Sequence, residues 1–127
     1  MEEIRAVKVS PGIPATVKKI PKGLSSLQHE VGGLIEVIYP FDDPVGLVCN
    51  ENGKLDGLPL NRSLRDENGE IYDIIAGDFL IVGLGNEDFT DLSDKLTEKY
   101  LGLFSKPEIF FQIDGKLIVL CENQSGT

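Results

Sequence analysis

The apolar positions of this chain fall in short runs, most of them alternating with polar residues and bounded by glycine, proline or Asn-Gly steps. Alternation with period two predicts strand, and recurrence at three and four residues predicts helix. Ile4 to Val9 and Ala15 to Ile20 therefore read as two strands folded about Ser10-Pro11-Gly12-Ile13-Pro14, a hairpin at one sheet edge. Leu24, Leu27 and Val31 then share one helical face. Ser25 and Gln28 have capping-box spacing, and Gly32-Gly33 supplies the stop. Leu34 to Tyr39 and Val45 to Cys49 follow as strands, with Asn52-Gly53 as a tight-turn signal between strands and Gly57 to Arg62 as a break in regular structure.

Ile71 to Ile75 and Asp78 to Val82 predict two mostly buried strand pieces that bend at Ala76-Gly77. Phe89, Leu92, Leu96, Tyr100 and Leu103 predict the best helix of the chain. Its N-cap would be Thr90, with Asp91 and Asp94 in the first turn and Gly102 and Pro107 bounding its end. Glu108 to Ile113 and Lys116 to Leu120 flank Asp114-Gly115 as a closing hairpin, and the polar tail 123–127 should fray. Strands joined by hairpin turns, with two helices between them, predict an α+β domain, a mainly antiparallel sheet of hairpins packed by two helices. No repeat or linker divides residues 1–127, so one domain is expected.

Charge sharpens this picture. The net charge is −9, which argues against affinity built on neutralising nucleic-acid phosphates. The excess is uneven: residues 1–29 hold five bases and two acids, residues 30–98 sixteen acids and four bases, and residues 99–127 three of each. Solubility explains most acidic surfaces, but an acidic middle can also be a recognition surface, and the acids that would form it are Asp66, Glu67, Glu87, Asp88, Asp91 and Asp94. Cys49 and Cys121 lie in apolar runs without Cys or His at metal-ligand spacing, so no zinc site, disulfide framework or metal is expected. No apolar stretch is long enough to span a membrane, and the start Met1-Glu2-Glu3-Ile4-Arg5 lacks signal-peptide grammar. A cytoplasmic protein without membrane contact is the expectation.

Candidate chemistry is sparse. His29 stands alone on the first helix, so a surface histidine is a better account than a catalyst. Gly83-Leu84-Gly85-Asn86-Glu87-Asp88 echoes a dinucleotide fingerprint, but Asp88 replaces the third glycine and two carboxylates would repel a pyrophosphate. Asp66-Glu67-Asn68-Gly69-Glu70 lacks the spacing of a calcium loop and reads as an Asn-Gly turn. Asp42-Asp43 reads as a solvated turn. The stretch from Cys49 to Arg65 differs, because Asn50, Lys54, Asn61, Arg62 and Arg65 gather amides and cations that could hold a small anionic ligand or could bond their own backbone. No cofactor is implied.

Glu30 to Val37, Cys49 to Leu55, Gly57 to Arg62 and Asp73 to Phe79 together resemble the domain-of-unknown-function family 3846, small proteins of phages and mobile elements and of the bacteria that carry them. The resemblance covers about residues 4–100 and leaves out the closing hairpin; Leu60 stands where relatives often have a second proline. It implies a non-catalytic accessory protein that counters host defence in the host cytoplasm. Its partner would be a defence protein, met by the acidic residues, or a small nucleotide signal, held by the Asn/Lys/Arg set. A nucleotide-processing enzyme, or a factor in replication or transfer of the element, are the alternatives. The first and last hairpins offer exposed edges through which two copies could pair.

Overall fold

The structure is a computed structural model and describes residues 2–121. β1 (Glu3–Val9) and β2 (Thr16–Pro21) form the expected hairpin, and α1 (Leu24–Val31) leads into β3 (Ile35–Ile38) and β4 (Val45–Asn50). β5 (Leu60–Arg65) and β6 (Ile71–Ala76) form a separate two-stranded ribbon before the chain returns as β7 (Phe79–Leu84). A short β8 (Phe89–Thr90), α2 (Asp94–Leu103) and a hairpin of β9 (Glu108–Ile113) and β10 (Lys116–Cys121) complete it. The main sheet has the order β2-β1-β7-β4-β3, and every pairing is antiparallel. β8 pairs with the end of β7 through Gly83↔Thr90 and Leu84↔Phe89, on the edge opposite β4. The fold is α+β, as the sequence predicts.

Alternate residues of the central strands serve two different cores. Val7, Val9, Val45, Leu47, Phe79 and Ile81 pack beneath α2 and the ribbon, with Leu64, Ile75, Leu92, Tyr100 and Phe104. Ala6, Val48, Leu80 and Val82 point the other way, onto Leu27 and Val31 of α1. A sheet covered on both faces needs apolar residues on both, which is why β4 and β7 read as continuous apolar runs. Phe79 and Phe104 meet edge to face, with ring centroids 5.2 Å apart, joining the sheet to the end of α2.

Several expectations change. Gly23 precedes α1 and no side chain caps the helix, so the Ser25–Gln28 capping box does not form: Ser25 already lies inside the first turn. The stop is as expected, Gly32 taking the left-handed conformation at φ 77°. The Asn52-Gly53 step does not join paired strands, because β4 pairs with β3 and β7 while the chain leaves for the ribbon. Leu60, Asn61 and Arg62 belong to β5 instead of breaking structure. Phe89 and Thr90 are strand, and the N-cap of α2 is Ser93, whose hydroxyl accepts from the Leu96 N–H at 3.2 Å. Asp91 therefore precedes the helix, Asp94 opens it, and Gly102 lies within its last turn. The helical spacing of Leu92 is real in sequence, yet tertiary pairing of β8 overrides it and Leu92 is buried before the helix begins. The polar tail 123–127 lies outside the described residues.

Candidate functional site

The turn Glu51–Gly57 and the following Leu58-Pro59 are wedged between the α1–β3 junction and the bend from β6 to β7. Three close approaches hold them there. A Cβ on Gly33 would come within 2.9 Å of Asn50 Nδ2, one on Gly53 within 2.7 Å of the Ala76 carbonyl, and one on Gly77 within 2.7 Å of Leu58 Cδ1. Gly77 also has φ 80° and donates its N–H to Pro59 O at 2.7 Å, so the bend needs glycine for backbone and space alike. Asn50 is buried and spends both ends of its amide on the frame: Nδ2 donates to Val31 O at 3.1 Å, and Oδ1 accepts from Asn52 N–H at 2.8 Å.

A cleft opens on each side of this turn. The first, about 370 Å³, is lined by Glu36, Cys49, Asn52, Lys54 and Asp73, with Ile75 at its wall. Lys54 Nζ meets Asp73 Oδ1 at 2.7 Å, and both side chains are substantially exposed. Burial pushes the Cys49 thiol up to about 11, with the Glu36 and Asp73 charges adding to it, so Cys49 stays protonated and non-nucleophilic at neutral pH. The second cleft, about 580 Å³, is wider and is lined by Lys8, His29, Glu30, Pro59 and Asp78. Glu30, its side chain only 7% exposed, accepts from Lys8 Nζ at 2.8 Å and Lys18 Nζ at 3.0 Å, and Lys8 also lies 3.4 Å from Asp78.

Segments 30–37, 49–55, 57–62 and 73–79 thus meet around one turn and its two clefts. A family model described as a domain of unknown function, DUF3846, matches residues 4–105. The chain belongs to the DUF3846 family. No curated protein and no solved structure matches it. The DUF3846 unit takes in the main sheet, both helices, the ribbon and both clefts, and stops short of β9 and β10.

Within this DUF3846 domain the five candidate ligand residues separate. Asn50 and Lys54 stand at the first cleft. Asn61 and Arg62 do not: both are fully buried, and Asn61 Nδ2 donates to Val9 O and to Gly77 O, each at 2.8 Å, stitching the ribbon to the main sheet. Arg65 is at the far end of β5, where its guanidinium donates to Gly69 O at 2.9 Å across the turn to β6. The six acids separate as well. Asp66 Oδ1 accepts from the N–H groups of Asn68 and Glu70 and shapes that same turn, with Glu67 exposed beside it. Asp91 Oδ1 accepts from Arg5 N–H at 2.6 Å, and Asp94 pairs with the Arg5 guanidinium at 2.8 Å. Asp88 accepts from Phe89 N–H and lies 3.9 Å from Lys22, with Glu87 exposed on the same turn. Four of the six thus take part in turns and strand joints.

Sequence reasoning missed Glu36 and Asp73 at the first cleft and Lys8, Glu30 and Asp78 at the second. A signal existed: Glu36 and Asp73 each interrupt an otherwise apolar strand. Among the described residues no helix is long and apolar enough to cross a membrane, and no group of three or more His, Cys, Asp or Glu side chains is placed to hold a metal ion.

The Glu30 network makes a pH prediction. Burial alone would raise the Glu30 carboxyl, but hydrogen bonds and charges from Lys8 and Lys18 outweigh it and hold it below its ordinary 4.5. A depressed carboxyl contributes stability that is present above 4.5 and lost as pH falls through the folded-state value. Burial alone would likewise lower Lys8, and Glu30 with Asp78 raise it above 10.5 instead, so its contribution is lost only as pH rises past that value. Glu30→Gln should cost about 2 kcal/mol at neutral pH, between the about 0–1 kcal/mol of an exposed ion pair and the about 3–5 kcal/mol of breaking a fully buried one, because Glu30 is buried while its lysine partners keep some solvent contact. In urea titrations the difference from wild type should shrink as pH drops below 4.5. A constant difference from neutral pH into the acid range would refute the ionic origin.

Proposed function

We propose that this DUF3846 protein acts by binding and not by catalysis, and that the cleft between Glu36, Asn52, Lys54 and Asp73 holds a small polar ligand. The observation that carries the reading is the Lys54–Asp73 pair at the cleft mouth. The walls of the cleft are occupied with holding the turn in place. An exposed ion pair, by contrast, adds only about 0–1 kcal/mol to stability, so the fold gives little reason for these two groups to meet there. Leu55, 87% exposed on the same rim, is equally unneeded by the core. The raised Cys49 thiol supports binding over covalent chemistry.

Size and charge narrow the ligand. A volume of about 370 Å³ is at the lower end for small-molecule sites, enough for a single nucleotide unit. Glu36, Glu51 and Asp73 outnumber Lys54, so a base edge and ribose hydroxyls, which donate hydrogen bonds, fit better than a chain of phosphates; one anionic group is accommodated where Lys54 turns from Asp73. In the phage or mobile-element setting that the family resemblance implies, withholding such a molecule would deny a nucleotide signal to a cytoplasmic host defence.

Calorimetric titration and thermal shift against nucleosides, mononucleotides, cyclic nucleotides and ADP-ribose-type compounds test this. At least one should bind, and Lys54→Ala or Asp73→Asn should weaken it about tenfold or more, the loss of one charge-assisted hydrogen bond, while shifting Tm little. Binding should also change little with ionic strength, unlike docking on a charged protein. Silence across the whole panel sinks the proposal, and conversion of a panel member into product would replace binding by catalysis.

A further inference from the structure

The closing hairpin lies wholly outside the DUF3846 unit, and it carries five exposed large apolar side chains, Ile109, Phe111, Ile113, Leu117 and Leu120. Directly opposed residues of an antiparallel pair share a face. The register Ile109↔Leu120, Phe111↔Ile118, Ile113↔Lys116 therefore gathers five apolar side chains on one face. Ile109, Ile113 and Leu120 are each more than half exposed, at 53%, 52% and 51%. A ribbon of two strands is marginal by itself; a third strand is what ordinarily makes such a sheet stable.

The free edge identifies the vacant side. Among the described residues the two strands of this ribbon pair only with each other; β9 is the one that lies against the body, its Glu108 accepting the Ser63 N–H of β5, which leaves β10 as the more open edge. Edge strands are normally protected by lysine, proline, bulges or brevity. The outer strands of the main sheet follow that rule: β2 carries Lys18, Lys19 and Pro21, and β3 has four residues and Glu36. β10, Lys116-Leu117-Ile118-Val119-Leu120-Cys121, has one lysine at its start and pairs with β9 without a register shift.

We propose that β10 is the seam of a homodimer, pairing antiparallel with β10 of a second copy. A two-fold axis normal to the sheet keeps each residue on its own face, so opposed positions must be an even number apart. Centring the axis on Val119 satisfies this and sets Val119 against itself, Ile118 against Leu120 and Leu117 against Cys121, apolar to apolar throughout. Charge favours a second copy meeting here. The hairpin holds only Glu108, Asp114 and Lys116 on a chain of net −9, so two like-charged bodies approach with least repulsion through it. One strand pair and its flanking side chains make a contact at the low end of specific interfaces, below about 1,200 Å² in total, so assembly should depend on concentration.

Sedimentation equilibrium on the full chain should show monomer converting to dimer as concentration rises. Added salt should strengthen the dimer, because it screens body repulsion and leaves an apolar seam intact. Val119→Lys sets two ammonium groups face to face and should weaken dimerisation at least tenfold. In a Cys121→Ser background, Val119→Cys should cross-link on oxidation, since opposed Cα atoms about 4.5–5.5 Å apart suit a disulfide, while Tyr39→Cys on the body should not. This cross-link decides the matter even if Val119→Lys fails to fold. A chain that stays monomeric at every concentration overturns the proposal, as does a dimer that salt disperses or that forms without the cross-link.

Discussion

Replacing Arg62 with methionine should destabilise the protein by about 4 kcal/mol, the range for stripping the partner from several buried carbonyls at once. Arg62 is the largest fully buried side chain among the described residues, and no carboxylate of those residues forms an ion pair with its guanidinium. Its fork bonds oxygens instead: Nη2 donates to Ile13 O at 2.7 Å and Phe104 O at 2.9 Å, and Nη1 to Asn61 Oδ1 at 2.8 Å, with a longer approach to Ser10 O at 3.4 Å. Burial pulls the Arg62 pKa down, with the more distant Glu108 and Cys121 opposing it, but a guanidinium keeps its proton all the same. Phe104 is the C-cap of α2, so the charge also faces the negative end of the helix dipole. One side chain therefore ties the β1–β2 turn, β5 and the end of α2 together. Arg62→Lys should recover less than half of the loss, because a single ammonium cannot reach acceptors on both sides of the fork. Urea unfolding at neutral pH measures both; a cost under about 1 kcal/mol for Arg62→Met would show that these bonds are replaced by water without penalty.

Gly83→Ala should cost about 3 kcal/mol, the upper end for overpacking a close backbone crossing. A Cβ at that position would come within 2.5 Å of the Asp91 carbonyl and 2.9 Å of the Thr90 carbonyl. Both contacts are backbone, so neither can swing aside as a side chain would. The strain falls on β8, whose pairing to β7 leads into Leu92, a fully buried residue that donates its N–H to Arg5 O at 3.0 Å. Hydrogen exchange should quicken across residues 89–92 before it does in β1 or β4. Gly102→Ala is the internal contrast. Its Cβ would meet nothing within 4 Å on a helix, and it should stabilise by about 0.5–1 kcal/mol. If both glycines respond alike, packing at β8 is not what Gly83 provides.

Legibility in the sequence followed how directly each element used its apolar residues. β4 and β7 were plain because both faces are covered. β5 was not, because Asn61 and Arg62 enter the interior to satisfy carbonyls, a use of polar residues that no periodicity reveals. β8 was hidden by Phe89 and Leu92, whose spacing continues the α2 stripe although pairing with β7 holds Phe89 in strand. At the candidate site, Lys54 was legible as a cation in a polar turn. Its partner Asp73 comes from β6, in a later segment of the chain, and needed the ribbon to be seen.

The position of β7 also orders events in time. It lies between β1 and β4, joining a strand that begins at Glu3 to one that ends at Asn50, yet it begins only at Phe79. A growing chain that has not reached Phe79 holds two hairpins, β1–β2 and β3–β4, with α1 between them but no strand to pair them into one sheet. Assembly must close loops of many residues before either core is sealed, and such non-local pairing slows folding. The main sheet can therefore close only once Phe79–Leu84, the strand that both hairpins share, has been made.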